Sequence, residues 1–276
     1  MDPAMKNKRL VAFDLDGTLL DEHRRIPAML VQRIQELQSL GILFTIATGR
    51  MYPAATRYIE QLRLHVPIIT CNGAMIRDHR QDQVMHHQVL DQGQTDKVLQ
   101  WLREKGHRVL RYSFYGDDVF TDTPHEQTTR YEEGLGVTFM SVPDLELQVQ
   151  QLAKHRHPTM LVLMLEAGVA QALSEELMSL LGSSACITSS NDYFIEILHP
   201  EASKGEALAC LAAKLGIDQE QVIAIGDNRN DLSMIRWAGT GVLVGNAPPA
   251  IHHEANLITQ GHRSYGVLEA LEKLFP

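Results

Sequence analysis

Leu10-Val11-Ala12-Phe13-Asp14-Leu15-Asp16-Gly17-Thr18-Leu19-Leu20 is the stretch whose reading decides the fold. Four apolar residues followed by acidic residues and a glycine read as a buried strand emptying into a tight turn. The two carboxylates are then left at the strand's carboxyl end, where open α/β sheets bind ligands. Side chains two apart on a strand share a face, which predicts Asp14 and Asp16 close together. Crowded carboxylates repel each other unless a cation or a shared proton relieves them, so the pair points to a metal. Taken alone the stretch also fits a plain turn, since Asp-Gly is a common turn signal. It does not fit a calcium loop, because the glycine comes too early and Arg25 stands where the bidentate Glu belongs.

Working outward, strand and helix patterns alternate on both ends of the chain. Pro27 opens a helical pattern carried by Leu30, Ile34, Leu37 and Leu40, and Gly41 stops it. Ile42–Ala47 is a second buried run, a helix over about Pro53–Leu62 follows, and Val66–Thr70 is a third run. Near the C-terminus the rhythm returns as a helix over Lys204–Leu215, a strand Val222–Ile225, a helix Asp231–Trp237, a strand Gly241–Val244 and a helix Tyr265–Leu274. Such alternation implies a parallel sheet with right-handed crossovers.

The middle differs. Arg108–Phe114 and Val119–Thr121 read as a hairpin around Gly116-Asp117-Asp118. Helices over Thr95–Lys105, Asp144–Ala153 and Val169–Leu181 alternate with strands such as Met160–Leu165. This is expected to be an inserted α+β domain over 84–189, interrupting a core made of 1–83 and 190–276. The leading Met1–Met5 is left out of the fold reading.

Composition narrows the function classes. The 276 residues are 44% hydrophobic and 21% charged, as in an ordinary water-soluble globular protein, and no apolar run reaches membrane-spanning length. A net charge of −9 with scattered basic residues argues against nucleic acid as partner. Cys71, Cys186 and Cys210 are few, odd in number and far apart, which suggests a reducing, cytoplasmic compartment. The histidine pairs His86-His87, His155–His157 and His252-His253 lack the i, i+4 spacing of a helical zinc site.

Three further polar stations lie at strand ends or helix starts. Thr48-Gly49-Arg50 follows the second buried run, offering a hydroxyl and backbone N–H groups to an anion, although a plain helix cap has the same look. Ser203-Lys204-Gly205-Glu206 has capping-box spacing, so a helix starts there. Lys204 then faces the positive end of its own helix, which makes sense if an anion lies nearby. Gly226-Asp227-Asn228-Arg229-Asn230-Asp231 puts another acidic pair after a buried strand, a donor set suited to a hard cation.

In order and spacing, Asp14-Leu15-Asp16-Gly17-Thr18, Thr48, Lys204 and Gly226-Asp227 through Asn230-Asp231 resemble the four motifs of the haloacid dehalogenase-like (HAD) phosphohydrolases. Cys71-Asn72-Gly73-Ala74 and Gly245-Asn246-Ala247 resemble the Cof-type branch, which carries a type IIB α/β cap. The resemblance implies a Rossmann-like, doubly wound core and a phosphatase acting on small phosphorylated metabolites such as sugar phosphates. It implies Asp14 as the nucleophile that forms an aspartyl-phosphate and Asp16 as general acid and base. It implies Mg2+ held by Asp14, the Asp16 carbonyl and Asp227, and a phosphoryl group held by Leu15, Thr48, Gly49, Lys204 and Asn230. Asp231 is expected to support Lys204 or the metal, Arg50 to contact the substrate, and the cap to close over the site and select the leaving group. Two other readings use the same residues: a phosphomutase or phosphotransferase with a sugar hydroxyl as acceptor, and a receiver-like phospho-acceptor module.

Overall fold

The structure, a computed structural model, describes residues 9–105, 110–122, 126–165, 168–189 and 193–276. Met1–Met5, the start of the strand expected from Arg108, and residue 190 lie outside the described residues. The chain forms two compact units. The described part of the first runs through 9–49, 55–85 and 203–276, and the second comprises 50–54 and 86–202.

The first unit is built on a five-stranded parallel sheet. Its order is Leu257–Ile258, Thr240–Leu243, Val222–Gly226, Leu10–Phe13, Leu43–Ile46. Leu10–Phe13 pairs on both sides, Leu10 with Val222 and Leu43, and Phe13 with Ile225 and Ile46. A strand flanked by neighbours and covered on both faces reads as an unbroken apolar run, and all four of its residues are buried. Phe13 stacks on Phe44 from the adjacent strand, with ring centroids 5.6 Å apart. Ala207, Leu208 and Leu211 of the helix Lys204–Leu215 pack with Val222, Ala224, Met234 and Ile235 in the core.

The expected third strand is shorter; it meets the parallel sheet in the parallel sense, but its ladder lies in another sheet. Ile68–Thr70 pairs antiparallel with Met75–Asp78 in a three-stranded sheet that also contains Gln83–His87. It touches the parallel sheet through a single bridge between Ala47 and Ile69. Cys71, Asn72 and Gly73 all have positive φ, so the chain reverses sharply there. A Cβ on Gly73 would lie 2.1 Å from the Ser203 carbonyl oxygen, which makes glycine obligatory at φ +102°.

The second unit holds a six-stranded sheet ordered Cys186–Thr188, Phe194–Leu198, Met160–Met164, Leu110–Tyr115, Asp118–Thr121, Met140–Ser141. The expected hairpin is present, pairing Tyr112 with Thr121 and Tyr115 with Asp118. Helices Gln92–Lys105 and Ala170–Leu181 contribute Val98, Leu102, Leu173 and Leu177 to a core with Leu161, Leu163, Ile195 and Ile197. The return boundary differs from the expected 189/190 because Phe194–Leu198 pairs with Met160–Met164, joining Ile195 to Leu163 and Ile197 to Leu161.

The start of the helix Lys204–Leu215 bears on both stability and the site. Ser203 caps it by accepting the Glu206 N–H at 3.1 Å, and Gly216 ends it in the left-handed region. Gly205 weakens a helix by about 1 kcal/mol relative to Ala, yet a Cβ there would lie 2.4 Å from the Ser233 carbonyl oxygen. Gly205→Ala is therefore expected to destabilise the protein by roughly 1–3 kcal/mol despite its better propensity, as overpacking does. A thermal melt checks this, and a raised melting temperature would contradict it.

Candidate active site

Asp14 follows the strand Leu10–Phe13, and its backbone N–H still donates to the Ile225 carbonyl at 2.9 Å. The strand pattern stops there. Leu15–Leu19 winds into one wide turn, with Leu19 N–H donating to the Asp14 carbonyl and Leu20 N–H to that of Leu15. Asp14 is buried while Asp16, on the turn, is exposed. The expected strand alternation is thus corrected, because the turn rather than the pleat relates these two carboxylates. They still feel each other, as the Asp16 charge adds to the forces raising the Asp14 pKa.

Lys204 is fully buried, and its Nζ donates to Asp14 Oδ1 at 2.5 Å and to Asp231 Oδ1 at 2.6 Å. The anion that would make sense of a lysine at this helix start is present as two carboxylates from distant segments. Asp231 uses its other oxygen on the N–H groups of Asp227 and Asn228, at 2.9 and 3.0 Å. Asp231 thus supports the Lys204 ammonium with one oxygen and the Asp227 turn with the other.

Carboxylate oxygens of Asp14, Asp227 and Asp231 lie within 4.8 Å of one another. Three carboxylates against one ammonium leave this part of the site two negative charges in excess if all are ionised. The pKa values respond accordingly. Burial, then Asp231, Asp227 and Asp16, push the Asp14 carboxyl well above the usual range, outweighing the pull of Lys204. Burial and the Asp231 charge raise Asp227 to about 7. Lys204 moves up as well, because the two carboxylates outweigh the cost of burying its charge. A divalent cation matches that excess, and hard oxygen donors match magnesium.

Asp227 is gripped from two sides. Its Oδ1 accepts from Thr18 Oγ1 at 2.7 Å, and its Oδ2 from Asn246 Nδ2 at 3.1 Å. A Cβ on Gly17 would lie 2.3 Å from that Oδ2, so the glycine lets the turn meet the carboxylate.

A sequence model described as haloacid dehalogenase-like hydrolase matches residues 11–271. The chain belongs to that family. It is 29% identical over 263 residues to the pyridoxal phosphate phosphatase YbhA of Escherichia coli, covering 91% of this chain and 92% of that protein. It is 28% identical over 284 residues to the 5-amino-6-(5-phospho-D-ribitylamino)uracil phosphatase YitU of Bacillus subtilis, covering 96% and 97%. Among solved structures, a haloacid dehalogenase-like hydrolase from Bacteroides thetaiotaomicron superposes with a TM-score of 0.84 at 25% identity, over 97% of this chain and 100% of that one. The doubly wound α/β core and the separate mixed sheet are the architecture of this family's Cof-type members.

Of the remaining HAD motif residues, Thr48 and Asn230 both meet Asn72. Thr48 is buried, its N–H donating to Ile69 and its carbonyl accepting the Asn72 N–H, both at 3.0 Å. Asn72 Oδ1 accepts from Asn230 Nδ2 at 3.1 Å, and its carboxamide would lie 3.2 Å from a Cβ on Gly49. Leu15 is fully buried at the start of the wide turn. Arg50 falls in the second unit, where it is buried and its Nη1 donates to the Ala54 carbonyl at 3.5 Å.

Three residues with no assigned chemistry in the sequence reading enter the site: Thr18, Asn72 and Asn246. The signal for the asparagines was present, since each sits beside a glycine just past a buried strand. It does not say which partner the carboxamide finds. Among the described residues, no helix is long and apolar enough to cross a membrane.

Proposed function

We propose that this chain is a Mg2+-dependent phosphatase that hydrolyses small phosphorylated metabolites through an aspartyl-phosphate on Asp14. The observation that carries this reading is the buried ammonium of Lys204 between Asp14 and Asp231, with Asp227 completing a cluster of excess negative charge. The named relatives act on two chemically different phosphomonoesters, which supports a small metabolite as substrate without choosing one. Sugar phosphates are of the same class.

Asp14, the Asp16 carbonyl and Asp227 are the groups to hold Mg2+. When bound, the ion neutralises the carboxylates and the phosphoryl oxygens, allowing two anions to approach. The Asp14 carboxylate attacks phosphorus, forming an O–P bond while the bond to the leaving oxygen breaks. Asp16, exposed on the turn, gives that oxygen its proton. It then takes one from the water that cleaves the acyl phosphate, and inorganic phosphate leaves with Asp14 restored. Lys204, Thr48, Asn230 and the N–H groups of Leu15 and Gly49 hold the phosphoryl oxygens in a cradle built before substrate arrives. Asp231 keeps Lys204 charged and in place.

The test is steady release of phosphate from p-nitrophenyl phosphate, with and without Mg2+. A stoichiometric phosphoprotein that does not turn over would replace this reading with the phospho-acceptor module. With a sugar phosphate offered instead, its isomer as product would replace this reading with the mutase.

A further inference from the structure

Asn246 lies outside the four motif stations, three residues after the strand Thr240–Leu243. Its turn is anchored by the segment 260–263. Gly245 N–H donates to the Gly261 carbonyl at 2.9 Å, and Asn246 Oδ1 accepts the Arg263 N–H at 2.7 Å. A Cβ on Gly245 would lie 2.6 Å from the Gln260 carbonyl oxygen, so only glycine allows this approach. The facing segment is itself fixed, because the Glu269 carboxylate accepts from the N–H groups of Gln260 and Gly261 at 3.0 and 2.7 Å.

With Oδ1 occupied, the amino group of the carboxamide points the other way and meets two acceptors. Nδ2 donates to the Gly17 carbonyl at 2.9 Å and to Asp227 Oδ2 at 3.1 Å. A carboxamide nitrogen carries two N–H bonds, so both are used. The Asp227 carboxylate and the Gly17 carbonyl are both acceptors, and this one nitrogen bridges them. The carboxylate also lies where a Cβ on Gly17 would have no room. Thr18 engages only the far oxygen of Asp227.

We propose that Asn246 is the positioning residue that aims the Asp227 carboxylate at a divalent cation, by tying it to the backbone of the loop that carries the nucleophile. The proposal rests on the assignment of Asp227 to the ion made above. A carboxylate oxygen that accepts one protein hydrogen bond keeps lone-pair capacity for a cation, and the bond decides where that capacity points. The anchor at Arg263 and Gly261 makes Asn246 a rigid arm rather than a swinging one.

The test uses Mn2+ alone as probe, titrated into wild-type protein and into Asn246→Ala without substrate, with free Mn2+ read by electron paramagnetic resonance. Losing an outer partner of a metal ligand weakens affinity about tenfold to a hundredfold, and the Mn2+ dissociation constant is expected to rise by that factor. The Mg2+ concentration giving half-maximal p-nitrophenyl phosphate hydrolysis is expected to rise in parallel. At saturating Mg2+ the KM for that substrate stays within about twofold, a split that general loosening of the site would not give. Asn246→Ser, whose shorter hydroxyl cannot span both acceptors, is measured beside it in case the alanine variant folds poorly. Unchanged Mn2+ affinity in either folded variant overturns the proposal. So does failure of both to fold, which would make Asn246 a staple of the fold. If wild-type protein binds Mn2+ but releases no phosphate, the functional reading fails while the Mn2+ comparison still decides the role of Asn246.

Discussion

Lys204→Met is expected to abolish turnover and to lower the melting temperature sharply, although the side chains are similar in length. The ammonium is wholly buried and is shared by Asp14 and Asp231, so its removal strands two carboxylates where water cannot solvate them. Breaking a buried pair from one side costs about 3–5 kcal/mol, because the partner's desolvation is no longer offset. The loss is expected to deepen as pH rises. The Asp14 carboxyl, which burial already holds above its ordinary range, would keep its proton in the folded state at a pH where the unfolded chain has released it. Stability then falls from about pH 4 upward, the ordinary range for an unfolded carboxyl. Adding Asp231→Asn to Lys204→Met removes one stranded charge and is expected to recover part of the loss. Removal of a preorganised donor to a developing anion lowers kcat by roughly 10²–10³, and loss of a full charge sets that as the floor. Circular dichroism melts at pH 5 and pH 8, with a phosphate-release assay, check both expectations. A melt unchanged at pH 8 would mean that Lys204 does not neutralise the two aspartates.

That ion pair was half visible in the sequence. A lysine in the first turn of a capped helix opposes the helix dipole, which makes sense if an anion lies nearby. What the spacing could not supply was the anion's identity, since Asp14 is 190 residues away and Asp231 is 27 away. The core strands were legible because parallel strands buried on both faces leave unbroken apolar runs, as in Leu10–Phe13 and Val222–Gly226. The polar residues just past them were legible as a site because a parallel sheet gathers all its carboxyl ends on one edge.

Where the reading departed from the structure, local pattern had no access to pairing partners. Phe194–Leu198 has four apolar residues around Glu196, and its registry with Met160–Met164 places it in the other sheet. Alternation was applied to Asp14 and Asp16, but the strand ends at Phe13 and the wide turn that follows obeys another geometry. Asn72 and Asn246 stood in the sequence as neighbours of glycine. Their use depends on Thr48, Asn230, Gly17 and Asp227 arriving from other segments. The helix Glu126–Leu135 and the short strand Met140–Ser141 carried too weak a pattern to be expected.

Asp14→Asn is expected to lower phosphate release by at least about 10⁴-fold, the scale seen when a covalent nucleophile is removed. A carboxamide keeps the shape of the carboxylate but cannot form the acyl phosphate, so no phosphorylated protein should be trapped by acid quench. The same substitution is expected to raise the stability of the ion-free protein at neutral pH, which separates chemistry from folding. The Asp14 carboxyl titrates above its ordinary 3.8 in the folded state, and Asp227 is raised from 3.8 to about 7. Between the unfolded and folded values, the folded chain keeps a proton that the unfolded chain has lost, so stability declines as pH climbs through that window. Removing Asp14 deletes its share of the decline and leaves Lys204 balanced by Asp231. The ion-free wild type should therefore weaken between about pH 4 and pH 7, and Asp14→Asn should weaken less. Millimolar Mg2+ should reverse the order, stabilising the wild type more than the variant, because a bound cation favours the charged carboxylates. An inactive variant with this inverted melting behaviour would place the nucleophile and the strain of its burial in one side chain. An active variant would remove Asp14 from the chemistry, whatever its melting curve.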